Sequence, residues 1–270
     1  SMASTGEGID AVNINIPPCQ EVFLKKLGKL KKPVVAVHFD GRPISSDAAD
    51  TVADAILEAW NPGERSTEAI VKVLLGEYNP AGRLPVSVAR TAGQEPVYYN
   101  HTNGSSYHQG TIGAFSSYMD CSYEPRYCFG HGLSYTSFQY SDMKITGMKN
   151  SGQKQEKICS VPPDGLVQVS LKVKNTGGWA GEEVVQIYLK DVMELAGFRR
   201  IFLEAGEEKE VIFDIHASQM AFIDRMYQWK VEKGDIQVLA GASSVDIRLE
   251  GMFHITDDRL IDERTRSFYT

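Results

Sequence analysis

The spacing of apolar residues changes close to Phe138, and this change constrains the fold more than any other feature. Before Phe138, short apolar runs alternate with segments in which apolar residues recur every three or four positions. After it, apolar and polar residues alternate with a period of two. Because helices and strands need different periods, the chain must build two different architectures.

The first half predicts an α/β layer. Residues 34–39 form an apolar run of the kind that parallel sheets bury on both faces, and residues 55–60 resemble a second strand. Pro17-Pro18 opens a helical pattern, and residues 64–75 form another whose apolar side is expected to face inward. Strand and helix joined by short turns predict a doubly wound, mostly parallel sheet.

The second half predicts an antiparallel β-sandwich, because several short alternating strands are separated by turns. The predicted strands are residues 167–174, 183–189, 210–215, 228–231, 236–239 and 245–249. Residues 91–135, rich in Tyr, Gly and Ser, are expected to form a long irregular segment. Residues 251–270 are interpreted as a C-terminal arm laid on a neighbour, or as disorder.

Composition narrows the classes of partner. The 270 residues carry a net charge of −7, which argues against nucleic acid or an anionic membrane as a partner. No run approaches the roughly 18 apolar residues of a membrane span. No signal peptide is visible at Ser1-Met2-Ala3, and the first two residues look like a cloning remnant, so localisation stays open.

Two long segments carry a family resemblance. Residues 58–88 run from Glu58-Ala-Trp-Asn-Pro-Gly to Asn79-Pro-Ala-Gly-Arg-Leu-Pro, and Cys128-Phe-Gly-His-Gly-Leu-Ser-Tyr-Thr-Ser-Phe138 follows forty residues later. Both resemble the second domain of family 3 glycoside hydrolases, which include β-glucosidases and β-xylosidases, and the signature that leads out of that domain. The sandwich looks like the fibronectin type III-like module that follows it in many of these enzymes.

The resemblance implies three regions. Residues 1–136 would be the C-terminal part of an αβα sandwich domain with its linker, residues 137–250 a fibronectin type III-like sandwich, and residues 251–270 the arm. The retaining glycosidases of this family use two carboxylates, one as nucleophile and one as general acid/base. Thr5-Gly-Glu-Gly-Ile-Asp10 is similar to the loop that supplies the acid/base, which makes Glu7 that residue. A flexible tail with a solvated glutamate is the alternative.

The nucleophile of the family is an aspartate on a preceding (β/α)8 barrel, and this chain is too short to include one. We therefore expect a C-terminal fragment, inactive alone, whose partners are the missing barrel of the same protein and a β-linked oligosaccharide or glycoside. The sheet edge that lacks its first strands is expected to invite self-association.

Polar and aromatic residues supply further candidates. Tyr99, His101 and Tyr107 lie in the long irregular segment, where aromatic faces suit sugar rings, although packing against the sandwich explains them equally well. His38 near a strand end, or Glu58 as a second acid, could serve the site. A satisfied histidine and a capping carboxylate are the simpler interpretations.

Other chemistries lack their signatures. No cysteine or histidine cluster has zinc spacing, and neither a nucleophile motif nor a phosphate loop is present, so we expect no cofactor and no metal. Two other functions remain open. One is a non-catalytic carbohydrate-binding or adhesion module, and the other is a flavodoxin-like regulatory domain joined to a sandwich.

Overall fold

The computed structural model describes residues 11–101, 118–148 and 159–267. These residues form two compact units. One contains the described residues of 1–78, 86–98 and 106–128, and the other those of 79–85, 99–105 and 129–270. No helix of the described part is both long and apolar enough to cross a membrane.

The first unit is an α/β unit built on two parallel strands. Its elements, in chain order, are α1 (Pro18–Gly28), β1 (Val35–His38), α2 (Asp47–Val52), β2 (Ala55–Glu58) and α3 (Ser66–Leu74). The strands pair in register from Val35 opposite Ala55 to His38 opposite Glu58. The predicted strands and both predicted helices are present, and α2 is an addition that the apolar pattern did not predict.

Local chemistry explains where these helices begin and meet. Pro18 occupies the first turn of α1, where a missing N–H costs nothing. Ser46 caps α2, since its hydroxyl accepts a hydrogen bond of 3.1 Å from the backbone N–H of Ala49. Gly28 lets α1 approach α2, because a Cβ there would lie 3.2 Å from the γ carbons of Val52.

The apolar sides of α1 and α3 are more exposed than the sequence pattern predicts. Phe23 on α1 is 60% exposed, and Leu74 and Leu75 at the end of α3 are 46% and 69% exposed. Val35, at the start of β1, is 50% exposed, although we expected this strand to be buried on both faces. The described part of this unit offers only two strands, so it lacks the sheet surface needed to cover these side chains.

The second unit is a β-sandwich. Its strands are β3 (Phe138–Met148), β4 (Cys159–Val161), β5 (Leu166–Asn175), β6 (Gly181–Lys190), β7 (Met193–Leu203), β8 (Glu208–His216), β9 (Phe222–Ile223), β10 (Trp229–Val231), β11 (Gly234–Gly241), β12 (Ile247–Ile255) and β13 (Arg259–Leu260). One sheet has the order β4-β12-β11-β6-β7 and another the order β3-β5-β8, while β13, β10 and β9 form a small third sheet. All pairs are antiparallel except β4 with β12.

Alternating side chains build the sandwich core. Residues 167, 169, 171 and 173 of β5 are fully buried, whereas their sequence neighbours are not, as the period of two requires. Phe213 on β8 and Phe253 on β12 are also fully buried. Complete burial of such a side chain contributes roughly 1.5–3 kcal/mol, so this core accounts for much of the unit's stability.

The compact units do not follow the region limits expected from sequence. Residues 79–85 belong to the sandwich unit, because Asn79 donates a hydrogen bond of 3.1 Å to the carbonyl of Ala180 and accepts one of 2.8 Å from the N–H of Tyr135. Residues 251–255, interpreted as the start of an arm, are the second half of β12, where Phe253 and Ile255 are buried. The three domain limits themselves stay a prediction.

Candidate functional site at the carboxyl edge of the parallel strands

Two of the candidate site residues, Glu7 and Tyr107, lie outside the described residues, so their roles stay predictions. The other two, Tyr99 and His101, belong to the sandwich unit. The ionisable cluster of the α/β unit lies elsewhere, at the end of its two strands.

His38, Asp40 and Glu58 form this carboxyl-edge cluster. His38 ends β1 and Glu58 ends β2, and the two are direct neighbours because parallel strands finish at the same edge. His38 Nδ1 lies 3.5 Å from Glu58 Oε2 and 3.8 Å from Asp40 Oδ2. All three side chains are mostly buried, with 14%, 18% and 22% exposed for His38, Asp40 and Glu58. The cluster thus holds one imidazole between two carboxylates.

The surroundings of the cluster raise the pKa values of Asp40 and His38. Burial, together with the adjacent Glu58 carboxylate, raises the pKa of Asp40 to about 6 although His38 opposes the rise. A hydrogen bond with Glu58 raises the pKa of His38 above its ordinary value, and burial offsets only part of that rise. Asp40 and His38 therefore both hold a proton more tightly than they would as isolated side chains.

The backbone after β2 holds Glu58 in place. The N–H of Trp60 donates a hydrogen bond of 3.0 Å to Glu58 Oε1, and the N–H of Ala59 donates one of 3.0 Å to the carbonyl of His38. Trp60 takes a left-handed conformation with φ at 49°, which is uncommon for a bulky residue. This turn leaves Glu58 Oε2 directed towards His38.

Arg126 forms ion pairs with the two acidic residues of α2. Its buried guanidinium bonds to the carboxylates of Asp47 and Asp50, and its Nε donates a hydrogen bond of 2.5 Å to the hydroxyl of Ser45. The hydroxyl of Tyr127 donates to Asp50 over 2.7 Å. Sequence reasoning missed Arg126, because its partners lie 76 to 81 positions away and no local pattern marks it.

Tyr99 is packed inside the sandwich unit. Its ring stacks on Phe129 at 4.2 Å and meets the edge of Tyr188 at 5.9 Å, and its hydroxyl accepts a hydrogen bond of 3.1 Å from the N–H of Leu195. Burial raises the pKa of Tyr99. These contacts are the ones expected if Tyr99 packs against the sandwich, whereas its contact with a sugar stays a prediction. His101 is half-buried, and its Nε2 is shielded from solvent.

A buried ion pair joins the Asn79–Pro85 segment to the sandwich. Arg83 Nη2 donates a hydrogen bond of 2.6 Å to Glu183 on β6, and the two side chains are only 9% and 1% exposed. The hydroxyl of Tyr140 donates to the other oxygen of Glu183 over 2.8 Å, and the guanidinium of Arg248 lies over the Tyr140 ring. Arg83 and Tyr140 thus each donate to a different oxygen of Glu183, which anchors the segment at Arg83 to β6.

Comparison with known proteins identifies both units. Residues 1–135 match the glycosyl hydrolase family 3 C-terminal domain, and residues 183–244 match a fibronectin type III-like domain. A periplasmic β-glucosidase of Salmonella typhimurium is 36% identical over 94% of this chain and 33% of its own length. Thermostable β-glucosidase B of Acetivibrio thermocellus is 33% identical over 96% of this chain and 34% of its own length.

The fold comparison agrees. The crystal structure of a β-glucosidase from Listeria innocua in complex with glucose superposes with a TM-score of 0.80 and 31% identity, over 90% of this chain and 34% of that one. An α/β unit followed by a fibronectin type III-like sandwich, matched in this way, defines a glycoside hydrolase C-terminal region. The chain belongs to glycosyl hydrolase family 3, as the sequence resemblance predicted. It spans about a third of the length of the curated relatives it matches.

Proposed function

We propose that this chain is part of a retaining β-glycosidase that hydrolyses O-glycosidic bonds of β-linked oligosaccharides or glycosides. The observation that carries the proposal is the 36% identity to a β-glucosidase over 94% of this chain. Relatives named as β-xylosidases, at 32% identity in one case, broaden the substrate class to β-linked pentose and hexose units.

Glu7 is the proposed general acid/base. It would first give its proton to the glycosidic oxygen while an aspartate attacks the anomeric carbon, so that the glycosidic C–O bond breaks, the leaving group departs as an alcohol and a glycosyl-enzyme ester forms. The ionised Glu7 would then take a proton from the water that hydrolyses this ester. The aspartate belongs to a (β/α)8 barrel outside this chain, which makes the chain inactive alone. The fraction of each relative that it spans, about a third, supports this division.

The test compares Glu7→Gln with wild type after the chain is joined to the upstream barrel polypeptide. We expect kcat/KM on cellobiose, which reports the step that forms the glycosyl-enzyme, to fall by roughly 10²–10⁴-fold, the usual contribution of general acid catalysis. The fall in kcat/KM should be much smaller for a dinitrophenyl β-glycoside, whose leaving group needs no proton. Glu64→Gln, at an exposed position, serves as the matched control.

Two results would overturn the proposal. Equal losses on both substrates would remove Glu7 from the acid role, and full activity in the isolated 270-residue chain would remove the need for a barrel. Tight saccharide binding by the isolated chain in calorimetry, with no turnover after joining, would instead support the carbohydrate-binding alternative.

The substrate-binding proposal covers Tyr99, His101 and Tyr107. Tyr107→Phe and His101→Ala are expected to raise KM in the joined enzyme without changing thermal stability. For Tyr99, the contacts with Phe129 and Tyr188 support a packing role beside any contact with sugar.

Self-association of the chain through the open edge of the two-stranded sheet is also part of the proposal. Val35 and Phe39 are 50% and 60% exposed beside that edge. An uncovered strand edge offers N–H and C=O groups to another chain, which supports pairing.

A further inference from the structure

The carboxyl-edge cluster places three metal-ligating groups together from two separate segments. One ligand atom from each of His38, Asp40 and Glu58 lies within 4.8 Å of the others. Glu58 lies 18 positions after Asp40 and 20 after His38, and the parallel pairing of His38 with Glu58 brings the two segments into contact. The arrangement therefore follows from the sheet register rather than from a local run of acidic residues.

The distances suit a small ion. Zinc bonds of about 2.0–2.2 Å to nitrogen and oxygen place neighbouring ligands of a tetrahedral site roughly 3.3–3.6 Å apart. The Nδ1–Oε2 distance in the cluster is 3.5 Å and the Nδ1–Oδ2 distance is 3.8 Å. The third pair, one oxygen each of Asp40 and Glu58, lies within 4.8 Å, so side-chain movement towards a shared ion would complete the geometry.

Asp40 supplies an independent observation. Its Oδ2 atom is shielded from solvent and has no hydrogen-bond partner within the described residues. A buried carboxylate oxygen without a donor is costly, because its lost hydration is not replaced. A cation bound by Asp40 Oδ2, His38 and Glu58 would replace the lost hydration of this oxygen.

The hydrogen bonds around the cluster resemble those that surround metal ligands. Glu58 Oε1 is fixed by the N–H of Trp60 at 3.0 Å, and Oε2 faces His38 as the ligand atom. Hydrogen bonds of this kind orient ligating carboxylates in metalloproteins. The acidic residues of α2 do not compete, since Asp47 and Asp50 are bound to Arg126.

We propose that His38, Asp40 and Glu58 bind one divalent transition-metal ion of the zinc class. An imidazole with two carboxylates favours Zn²⁺, Co²⁺ or Mn²⁺ over Ca²⁺ and Mg²⁺, which prefer all-oxygen sites. Three protein ligands leave at least one position for water. The ion cross-links the loop after β1 to the end of β2. The inference does not depend on the proposed glycosidase activity.

The experiment titrates the purified 270-residue chain, after dialysis against chelator, with ZnCl₂ by calorimetry and with CoCl₂ by visible absorption. We expect one ion per chain and a cobalt spectrum of nitrogen and oxygen ligation. Asp40→Asn, which keeps the size of the side chain, should weaken zinc binding by at least 10–100-fold. His38→Gln should do the same, and circular dichroism confirms that each variant is folded.

The control uses a second close pair of histidine and carboxylate. His254 Nδ1 lies 2.6 Å from Asp235 on the sandwich, with no third ligating group beside them among the described residues, so His254→Gln should bind zinc as wild type does. Absence of saturable binding to wild type would overturn the proposal. So would unchanged affinity in Asp40→Asn and His38→Gln, or a thiolate charge-transfer band showing that the cobalt is bound by cysteine side chains.

Discussion

Arg83 and Glu183 form a buried ion pair across one hundred positions of sequence, with 2.6 Å between Nη2 and Oε2. Removal of one partner leaves an uncompensated buried charge, which typically costs about 3–5 kcal/mol. We expect a loss of this size for Arg83→Met, and a smaller loss for Arg83→Met combined with Glu183→Leu. Urea unfolding in a Trp60→Phe background measures it, since the other two tryptophans, Trp179 and Trp229, lie in the sandwich.

The matched control for this pair is the exposed pair of Arg200 and Glu182 on the same sheet. Arg200→Met should cost less than about 1 kcal/mol, the usual range for surface ion pairs. Equal costs for the buried and the exposed pair would contradict a structural role for Arg83.

Phe213 should contribute more to the stability of the sandwich than its neighbour Ile212 on β8. It is fully buried, whereas its neighbour Ile212 points to the other face and is 44% exposed. Phe213→Ala should destabilise the sandwich by about 3–5 kcal/mol through a cavity and lost burial. Ile212→Ala should cost less than half as much. Comparable losses in the same urea assay would show that the register of β8 is different.

His131 should make the sandwich less stable in mild acid. Burial, and then the positive charge of Arg83, lowers the pKa of His131 below its ordinary value of 6.5. The unfolded chain therefore binds the proton more tightly than the folded chain does. The contribution of His131 to the free energy of unfolding is fully present above pH 6.5 and is lost as the pH falls towards the pKa of the folded state. Unfolding at pH 7.5, 6.5 and 5.5 should show this slope, and His131→Gln should reduce it. An identical slope in the variant would remove His131 as its source.

Tyr99→Phe separates packing from sugar recognition. The change removes the hydrogen bond from the N–H of Leu195 and should cost about 0.5–1.5 kcal/mol of stability, with the ring contacts retained. If packing is its only role, KM of the joined enzyme should stay within twofold of wild type. A large increase in KM without loss of stability would instead support contact with substrate.

Self-association should depend on the open sheet edge. Sedimentation of the isolated chain at rising concentration is expected to show dimers or larger species. Phe39→Asp should shift the population towards monomer. Val245→Asp should not, because this residue is 67% exposed and belongs to the sandwich unit, not to the unit that contains β1 and β2. A monomer at every concentration would contradict the proposal.

Much of the fold was predictable because its signals are local. The alternation along β5, the Pro18 start of α1 and the two parallel strands all appear in the sequence and in the structure. The exposure of α1 and α3 was not predictable, because a helix pattern states which side is apolar and not what surface is available to cover it.

Some residues of the candidate site were likewise predictable from the sequence, and others were not. Glu7 was predicted to be the general acid/base because its segment resembles a loop of the family. It lies outside the described residues, so this role stays a prediction. Asp40 and Glu58 gave no metal pattern in sequence, because 18 residues separate them and only the register of β1 and β2 makes them neighbours. Arg126 was missed for the same reason.

The sequence by itself determined the family, the order of the two units and the alternation that builds the sandwich core, since each depends on neighbouring residues or long contiguous segments. Only the tertiary structure decided that Arg83 meets Glu183, that Tyr99 packs on Phe129 and that His38 lies between two carboxylates. Such contacts join distant segments, and their distances are set by strand register and packing, which no local pattern encodes.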